Sequence, residues 1–407
     1  MTLIECFTNS HIDNIAACLR LQPDKMIMVG NAEDMCEPIR WYEDLLEKRG
    51  LRTKIEPCDV SEKDFGEICG ILYDHVRRAD TCVIDLTGGE EPVIMAVGAL
   101  LSHLDAEQRQ RVRVEKYDHA QDAVLDIVND SRKLPCQPVS LSVEELIALH
   151  GAKLHPEGYS VPAGSTSRDL DGLWSVVADA PKDWNRAISL LSEFESRADS
   201  KTQVYLPLEY IRGGIDRFDE KEDIIRNLLD KLQRRGVIDD QSSRYALEYT
   251  YRSPLLRHCT LKAGNMLEVK TLLEGRAILE NGTPFFQDCR MGVSIDWDGM
   301  IYDPMDRIPE TRNEIDVVLM HGTTPLFISC KNGYIGDDEL YKLHTVASRF
   351  GGPYARKMLI ATDLDRKSLM ANRAFVQRAW DMDIYIVTDA AELTAEEFRQ
   401  TLRQAVK

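Results

Sequence analysis

Two acidic residues and a lysine on neighbouring strand-like runs offer the first chemistry in the chain. In NEIDVVLMHGTTPLFISCKNG, residues 313–333, Glu314 and Asp316 stand two apart, and Ser329 and Lys331 stand two apart beyond the turn-like HGTT. Alternate residues of a strand share a face, so each pair points one way. If the chain turns at His321–Thr324, Asp316 arrives beside Lys331. Taken alone, that meeting is either a salt bridge at a sheet edge or part of a metal site. Glu268, in GNMLEVK, shifts the balance, because it brings a helix carboxylate in just before the strands. Hard cations such as Mg²⁺ or Mn²⁺ take oxygen ligands and keep several waters, so two carboxylates and a backbone carbonyl suffice. The lysine can then hold or polarise a water nucleophile while the metal stabilises developing charge.

A second set of polar residues lies near the N-terminus. VIDLTGGEEP, residues 83–92, runs from an apolar strand through a Gly-Gly turn into an apolar helix, and FTNSHIDN, residues 7–14, follows the first strand. Glycines permit backbone conformations closed to other residues, and a helix start presents free N–H groups to a polar ligand. The turn is neither a GxGxxG dinucleotide fingerprint nor a GxxxxGK phosphate loop. Glu90 and Glu91 would repel a triphosphate, so a ligand rich in bases and ribose hydroxyls fits better. The structural alternative is that TNS and TGG are helix caps and a turn. Lys342 and Arg349 on a later helix read first as a solvated face, and Asp296, Asp298 and Asp303 as turn chemistry.

These residues need elements to hold them. The 407-residue chain exceeds one ordinary core, its 43% hydrophobic and 29% charged residues suit a globular protein, and no apolar run approaches a membrane span. The start lacks a basic, then apolar, secretory pattern, so a cytoplasmic location is expected. Ten cysteines without a CxxC pair read as reduced core thiols, and a net charge of −18 argues against coating nucleic acid by charge alone. Residues 1–150 alternate strand-like and helix-like runs, predicting a mostly parallel, Rossmann-like α/β sheet with ligands at the strands' carboxyl ends. Residues 151–260 read as a helical linker, and DKLQRRGVIDD followed by RYALEYTY is compatible with a winged helix. Residues 261–407 give helix, antiparallel strands, helix, strand, an α/β/α sandwich with a mixed sheet.

NEID (Asn313–Asp316), FISCK (Phe327–Lys331) and GNMLE (Gly264–Glu268) resemble the PD-(D/E)XK nuclease superfamily, specifically its members fused to an N-terminal CARF domain. The resemblance implies that Asp316 is the metal-binding aspartate, Lys331 the motif lysine and Glu268 the core-helix carboxylate. Ser329 stands where the pattern has its second acid, so Glu314 or Glu268 would replace it, with the Cys330 carbonyl completing the shell. The two N-terminal loops are similar to the ligand-contacting motifs of CARF domains, which implies a pocket lined by Thr8, Asn9, Ser10, Thr87, Gly88, Gly89 and Glu90. Together the halves imply a homodimeric, metal-dependent endonuclease with Mn²⁺ or Mg²⁺. Its activator would be a cyclic oligoadenylate, with cyclic tetra-adenylate the favoured ring, and its setting type III CRISPR antiviral defence. RNA and DNA both remain open as substrate. The rival reading is a ligand-responsive transcription regulator using the central winged helix, with Lys231, Arg234 and Arg235 on its recognition helix. A plain small-molecule α/β enzyme lacks any catalytic triad or cofactor motif to support it.

Overall fold

Short apolar runs with four or five buried residues in succession are what a parallel sheet covered on both faces demands. The three central strands of the parallel part of the N-terminal sheet are of this kind. A computed structural model describes residues 1–118, 123–128, 132–135, 138–156, 159–196, 202–299, 312–333, 335–362 and 373–406; Asp303 lies outside them. Strands β1 (Thr2–Cys6), β2 (Lys25–Gly30), β3 (Lys54–Asp59), β4 (Cys82–Asp85), β5 (Val112–Asp118), β6 (Ala123–Asp126) and β7 (Arg132–Leu134) form a seven-stranded sheet in the order β3-β2-β1-β4-β5-β6-β7. The first five strands in that order pair in parallel, and β6 and β7 add antiparallel at the edge. Between them run α1 (His11–Leu21), α2 (Ala32–Lys48), α3 (Phe65–Arg78), α4 (Glu91–His103) and α5 (Ala106–Arg111). Helix α3 buries Ile68, Leu72 and Val76, one turn apart, against Val93, Ala96, Val97 and Leu100 of α4 and against Ile4, Ile27 and Ile84 of the sheet. The chain order reverses direction between β1 and β4, so the loops after these strands open side by side at a topological switch point.

A short helix, α6 (Val143–Ala148), leads into β8 (Lys153–Leu154) and then α7 (Asp171–Asp179) and α8 (Pro181–Glu195). Next come β9 (Gln203–Pro207), α9 (Leu208–Arg212), α10 (Phe218–Arg234), β10 (Ile238–Asp240) and β11 (Ala246–Tyr251). The three strands form an antiparallel sheet in the order β10-β11-β9. Helix α10 buries Ile225, Leu228, Leu229 and Leu232, the i, i+3, i+4, i+7 stripe of an amphipathic helix.

The C-terminal unit has α11 (Pro254–Leu261), α12 (Asn265–Ala277), a small ribbon of β12 (Leu279–Glu280) and β13 (Thr283–Pro284), then β14 (Asp288–Asp296), β15 (Arg312–His321) and β16 (Thr324–Lys331). After them come α13 (Asp337–Gly351), β17 (Arg356–Ala361), α14 (Arg373–Asp381), β18 (Ile384–Val387) and α15 (Ala395–Gln404). Its sheet runs β18-β17-β16-β15-β14-β8, parallel across β18, β17 and β16 and antiparallel beyond. Helices cover both faces, the mixed α/β/α arrangement expected from the sequence. The β15–β16 hairpin closes with His321 opposite Thr324, as the turn chemistry predicts.

Segment 138–154 belongs physically to this second sheet. β8 pairs with β14, the Leu141 N–H donates to the Gly322 carbonyl, and the Val143 N–H donates to Asp288 at 2.9 Å. Helix α6 also packs on α2 and α13, so Leu3, Met26 and Leu45 of the first unit share one apolar core with Leu146, Val318, Phe327 and Leu343. The described cysteines are free, most of them buried, and no helix among the described residues is long and apolar enough to cross a membrane.

Candidate active site and ligand pocket

Residues 326 and 328 of β16 pack into one core and 327 into the other. By alternation Ser329 and Lys331 fall with Phe327, on the face that α13 covers. Asp316, opposite them on β15, is fixed by a 2.6 Å hydrogen bond from the Cys330 N–H and one of 3.2 Å from the Ser329 hydroxyl. Its carboxylate lies 3.6 Å from Lys331 Nζ. The expected meeting of Asp316 and Lys331 is therefore present, and the lysine has a further partner. Glu339, in the first turn of α13, reaches back to 3.0 Å from Lys331 Nζ and 3.5 Å from Ser329 Oγ. Glu314, Asp316, Ser329, Glu339 and Lys342 line one shallow cleft, which puts Lys342 beside the acids rather than on an indifferent surface.

Glu268 approaches from α12 on the opposite face of the sheet. That helix is buried from Asn265 to Gly275 except at Glu268, whose side chain is half-buried. Its start is pinned by α8 and by the loop after β16: Trp184 Nε1 and Asn332 Nδ2 both donate to the Ala263 carbonyl, at 3.1 and 3.3 Å, and Asn185 bonds the Asn332 carbonyl. Burial, then the negative charges of Asp316 and Glu314, push the Glu268 pKa up from 4.5 to about 7, against the pull of Lys331 and Lys262. Burial disfavours the Lys331 ammonium, but Asp316 and Glu339 outweigh that and hold its pKa above the usual value.

This donor set suits a hard cation in kind. Asp316 and Glu314 lie near enough to Glu268 to add to the rise in its pKa, and Asp316 and Glu339 already grip a cationic ammonium. Among the described residues no three potential ligands yet close around a single point, because the Lys331 ammonium lies between Asp316 and Glu339. The Cys330 thiol is buried toward Thr271 Oγ1 at 3.6 Å, which leaves only its backbone facing Asp316. Asp296 is buried at the end of β14 instead of in an open turn. A large concavity between α2, β8 and β14 contains none of Glu268, Asp316 or Lys331.

The N-terminal loops meet as the sequence predicts, and closely. A Cβ on Gly88 would lie 2.4 Å from Thr8 Cγ2, and one on Gly89, where φ is +112°, would lie 2.6 Å from Cys6 Cβ. Only glycines allow this contact. Asn14 locks the backbone of Thr8 from both sides, accepting from its N–H at 2.9 Å and donating to its carbonyl at 2.6 Å. Asp85 accepts from the Thr87 N–H at 2.6 Å, and Thr87 Oγ1 accepts from the Tyr117 N–H at 2.9 Å. Ser10 and Glu90 occupy the N-cap positions of α1 and α4, yet neither side chain makes a capping bond. The cap explanation of these residues therefore weakens.

Residues 258–404 match the family described as Card1-like, endonuclease domain. The C-terminal unit is similar to an endonuclease domain. The whole chain also superposes on the crystal structure of protein VC1899 from Vibrio cholerae, with TM-score 0.74, 16% identity and 99% and 97% of the two chains covered. Against Can2 from Sulfobacillus thermosulfidooxidans, solved with cyclic tetra-adenylate, TM-score is 0.65 at 15% identity, with 100% and 97% covered. At these identities the two structures establish a shared fold over the full length. No curated protein matches the chain by sequence.

Two features of the endonuclease-like unit escaped the sequence reading. Glu339 was invisible because an acidic residue in a helix's first turn has an ordinary electrostatic reason to be there. The other is a link to the N-terminal loops. His11, just after the TNS loop, packs its ring 4.7 Å from that of His150, which in turn packs 5.6 Å from Phe350 at the far end of α13. A Cβ on Gly352 would lie 3.6 Å from Ser10 Oγ. Burial first, then His150 and Arg349, lowers the His11 pKa to about 3, so its imidazole is neutral at pH 7.

Proposed function

We propose that the chain is a cyclic-oligoadenylate-activated, metal-dependent endonuclease of type III CRISPR defence, working as a homodimer on RNA or DNA. The observation that supports this reading is the pairing of Asp316 with Lys331, with Glu268 near enough to feel their charges, inside residues that match a Card1-like endonuclease domain. When bound, Mn²⁺ or Mg²⁺ would supply charge stabilisation at the scissile phosphate, held by Asp316 and Glu268, with the Cys330 carbonyl and Glu314 within the same cluster. Asp316 is oriented for this by the Cys330 N–H, and the Lys331 ammonium is positioned to hold and polarise the attacking water.

Activation rests on the other site. Thr8, Asn9, Ser10, Thr87, Gly88, Gly89 and Glu90 form a polar rim of loops at the switch point, and Can2, whose fold this chain shares, was solved with cyclic tetra-adenylate. A ring of repeated nucleotides suits a two-fold axis. Exposed Ile94 and Met95, on α4 directly after the Gly-Gly turn, give an apolar surface where a second chain would pack. A ligand that fits one arrangement of the Ser10 loop better than another shifts α13 through His11, His150 and Phe350.

The test is a cleavage assay on single-stranded and duplex substrates with Mn²⁺ or Mg²⁺, with and without cyclic tetra- or hexa-adenylate. Wild type is expected to cleave only with activator, and Asp316→Ala and Lys331→Ala to lose about a hundredfold or more. Equal behaviour of wild type and both variants would sink the reading.

The regulator reading draws on the helix, strand, helix, helix, strand, strand order of residues 181–251. Its basic cluster is compromised, because Arg234 and Arg235 are engaged by Asp230 and Asp179 at 2.9 and 3.0 Å. Metal-dependent cleavage without operator binding would exclude it.

A further inference from the structure

Position 329 is the weak point of the metal site: the β16 side chain two residues before the lysine is a serine, and a hydroxyl is a poor ligand for a hard cation beside carboxylates. We propose that Glu339 supplies the missing carboxylate from α13, across space, and that its carboxylate and that of Asp316 together hold the divalent cation. This rests on the nuclease reading above and deepens it.

Three observations carry the assignment. Ser329 Oγ lies 3.2 Å from one Asp316 oxygen and 3.5 Å from one Glu339 oxygen, so the hydroxyl sits in the gap between the two acids. The Lys331 ammonium touches the same two oxygens, at 3.6 and 3.0 Å, so a positive charge is already accepted at this spot. Glu314, Asp316, Ser329 and Glu339 line the same shallow cleft. A carboxylate at 329 is not needed if Glu339, whose oxygen lies 3.5 Å from the Ser329 hydroxyl, serves in its place from the first turn of α13. Its neighbour Asp337 has a separate task, an ion pair with Arg378 that pins the helix start. A divalent cation held between Asp316 and Glu339 would take over the positive charge that the Lys331 ammonium now presents to both. Glu339 thus serves twice, as the lysine's partner in the metal-free chain and as a ligand afterwards. Because it rides on α13, whose far end meets the Ser10 loop, its placement is the feature that ligand binding can adjust.

The experiment is calorimetric titration of the full chain with Mn²⁺ alone, with and without cyclic tetra-adenylate, in wild type, Asp316→Asn, Glu339→Gln and the double variant Ser329→Glu/Glu339→Gln. Glu339 is partly exposed, and thermal melting of each variant checks that it folds. Glu339→Gln is expected to weaken Mn²⁺ binding about tenfold or more, and the double variant, which returns a carboxylate to the strand, to recover most of that loss. Wild-type affinity in Glu339→Gln, or no recovery in the double variant, overturns the assignment while loss in Asp316→Asn still supports the metal site. If wild type binds no Mn²⁺ under either condition, or Asp316→Asn binds it undiminished, the nuclease reading itself falls.

Discussion

At the scale of single residues, the molecule keeps several ionisable groups in places that favour one protonation state. Glu5 is the extreme case. It sits in the middle of β1, fully buried, with neither carboxylate oxygen hydrogen-bonded. Burial, followed by the nearby Asp85, Cys18 and Asp13, pushes its pKa well above the usual range, with Arg20 opposing. The folded chain therefore holds a proton that the unfolded chain releases above about pH 4.5, and stability falls as pH rises toward the folded pKa. Glu5→Gln, which cannot ionise, should raise the melting temperature by a few degrees at pH 8 and leave it unchanged at pH 4. An identical shift at both pH values would point to packing and not to titration. Among the catalytic candidates, Asp316 is held in place by hydrogen bonds from the Cys330 N–H and the Ser329 hydroxyl.

At the scale of elements, two pieces matter most, the Gly88–Gly89 turn and α13. Gly88→Ala places a methyl group where Thr8 Cγ2 now lies, so the two loops must separate. Cyclic tetra-adenylate affinity, followed by calorimetry, should drop about tenfold or more while Mn²⁺ affinity stays unchanged; unaltered ligand affinity would remove these loops from the pocket. Helix α13 is anchored at its far end by Phe350, fully buried, with ring contacts to His150 at 5.6 Å and Trp297 at 5.4 Å. Phe350→Ala should cost about 3–5 kcal/mol of stability, read by denaturant unfolding. The milder Phe350→Leu should retain ligand binding yet reduce the stimulation of cleavage. Full stimulation in that variant would mean the coupling runs elsewhere.

At the scale of the whole molecule, one apolar core runs from β1 and β2 through α2 and α6 to β15, β16 and α13, so the two sheets are not beads on a string. Packed side chains resist continuous deformation, so this core is the route along which the proposed activation would pass. Dimerisation is tested at α4. Met95, 63% exposed, can be changed to lysine without disturbing the buried face of Val93, Ala96 and Val97. Met95→Lys should shift the chain from dimer toward monomer in sedimentation analysis and weaken ligand binding in parallel. A variant that stays dimeric would move the interface off this helix.

The sequence by itself determined the α/β class, the alternation of strands and helices from β1 to β5 and from α12 to β18 apart from α5 and the β12–β13 ribbon, the β15–β16 hairpin that carries Asp316 and Lys331, and the glycines that let two loops touch. These are local matters, set by periodicity, turn residues and alternation along a strand, and each can be read within a short window. The tertiary structure decided what lies beside them. Glu339 meets Lys331 only because α13 packs across β16, α6 joins the second sheet only because β8 pairs with β14, and His11 meets His150 only because two units share a core. Such contacts depend on how faces pack in three dimensions, and a residue's type carries no mark of the partner that packing will bring to it.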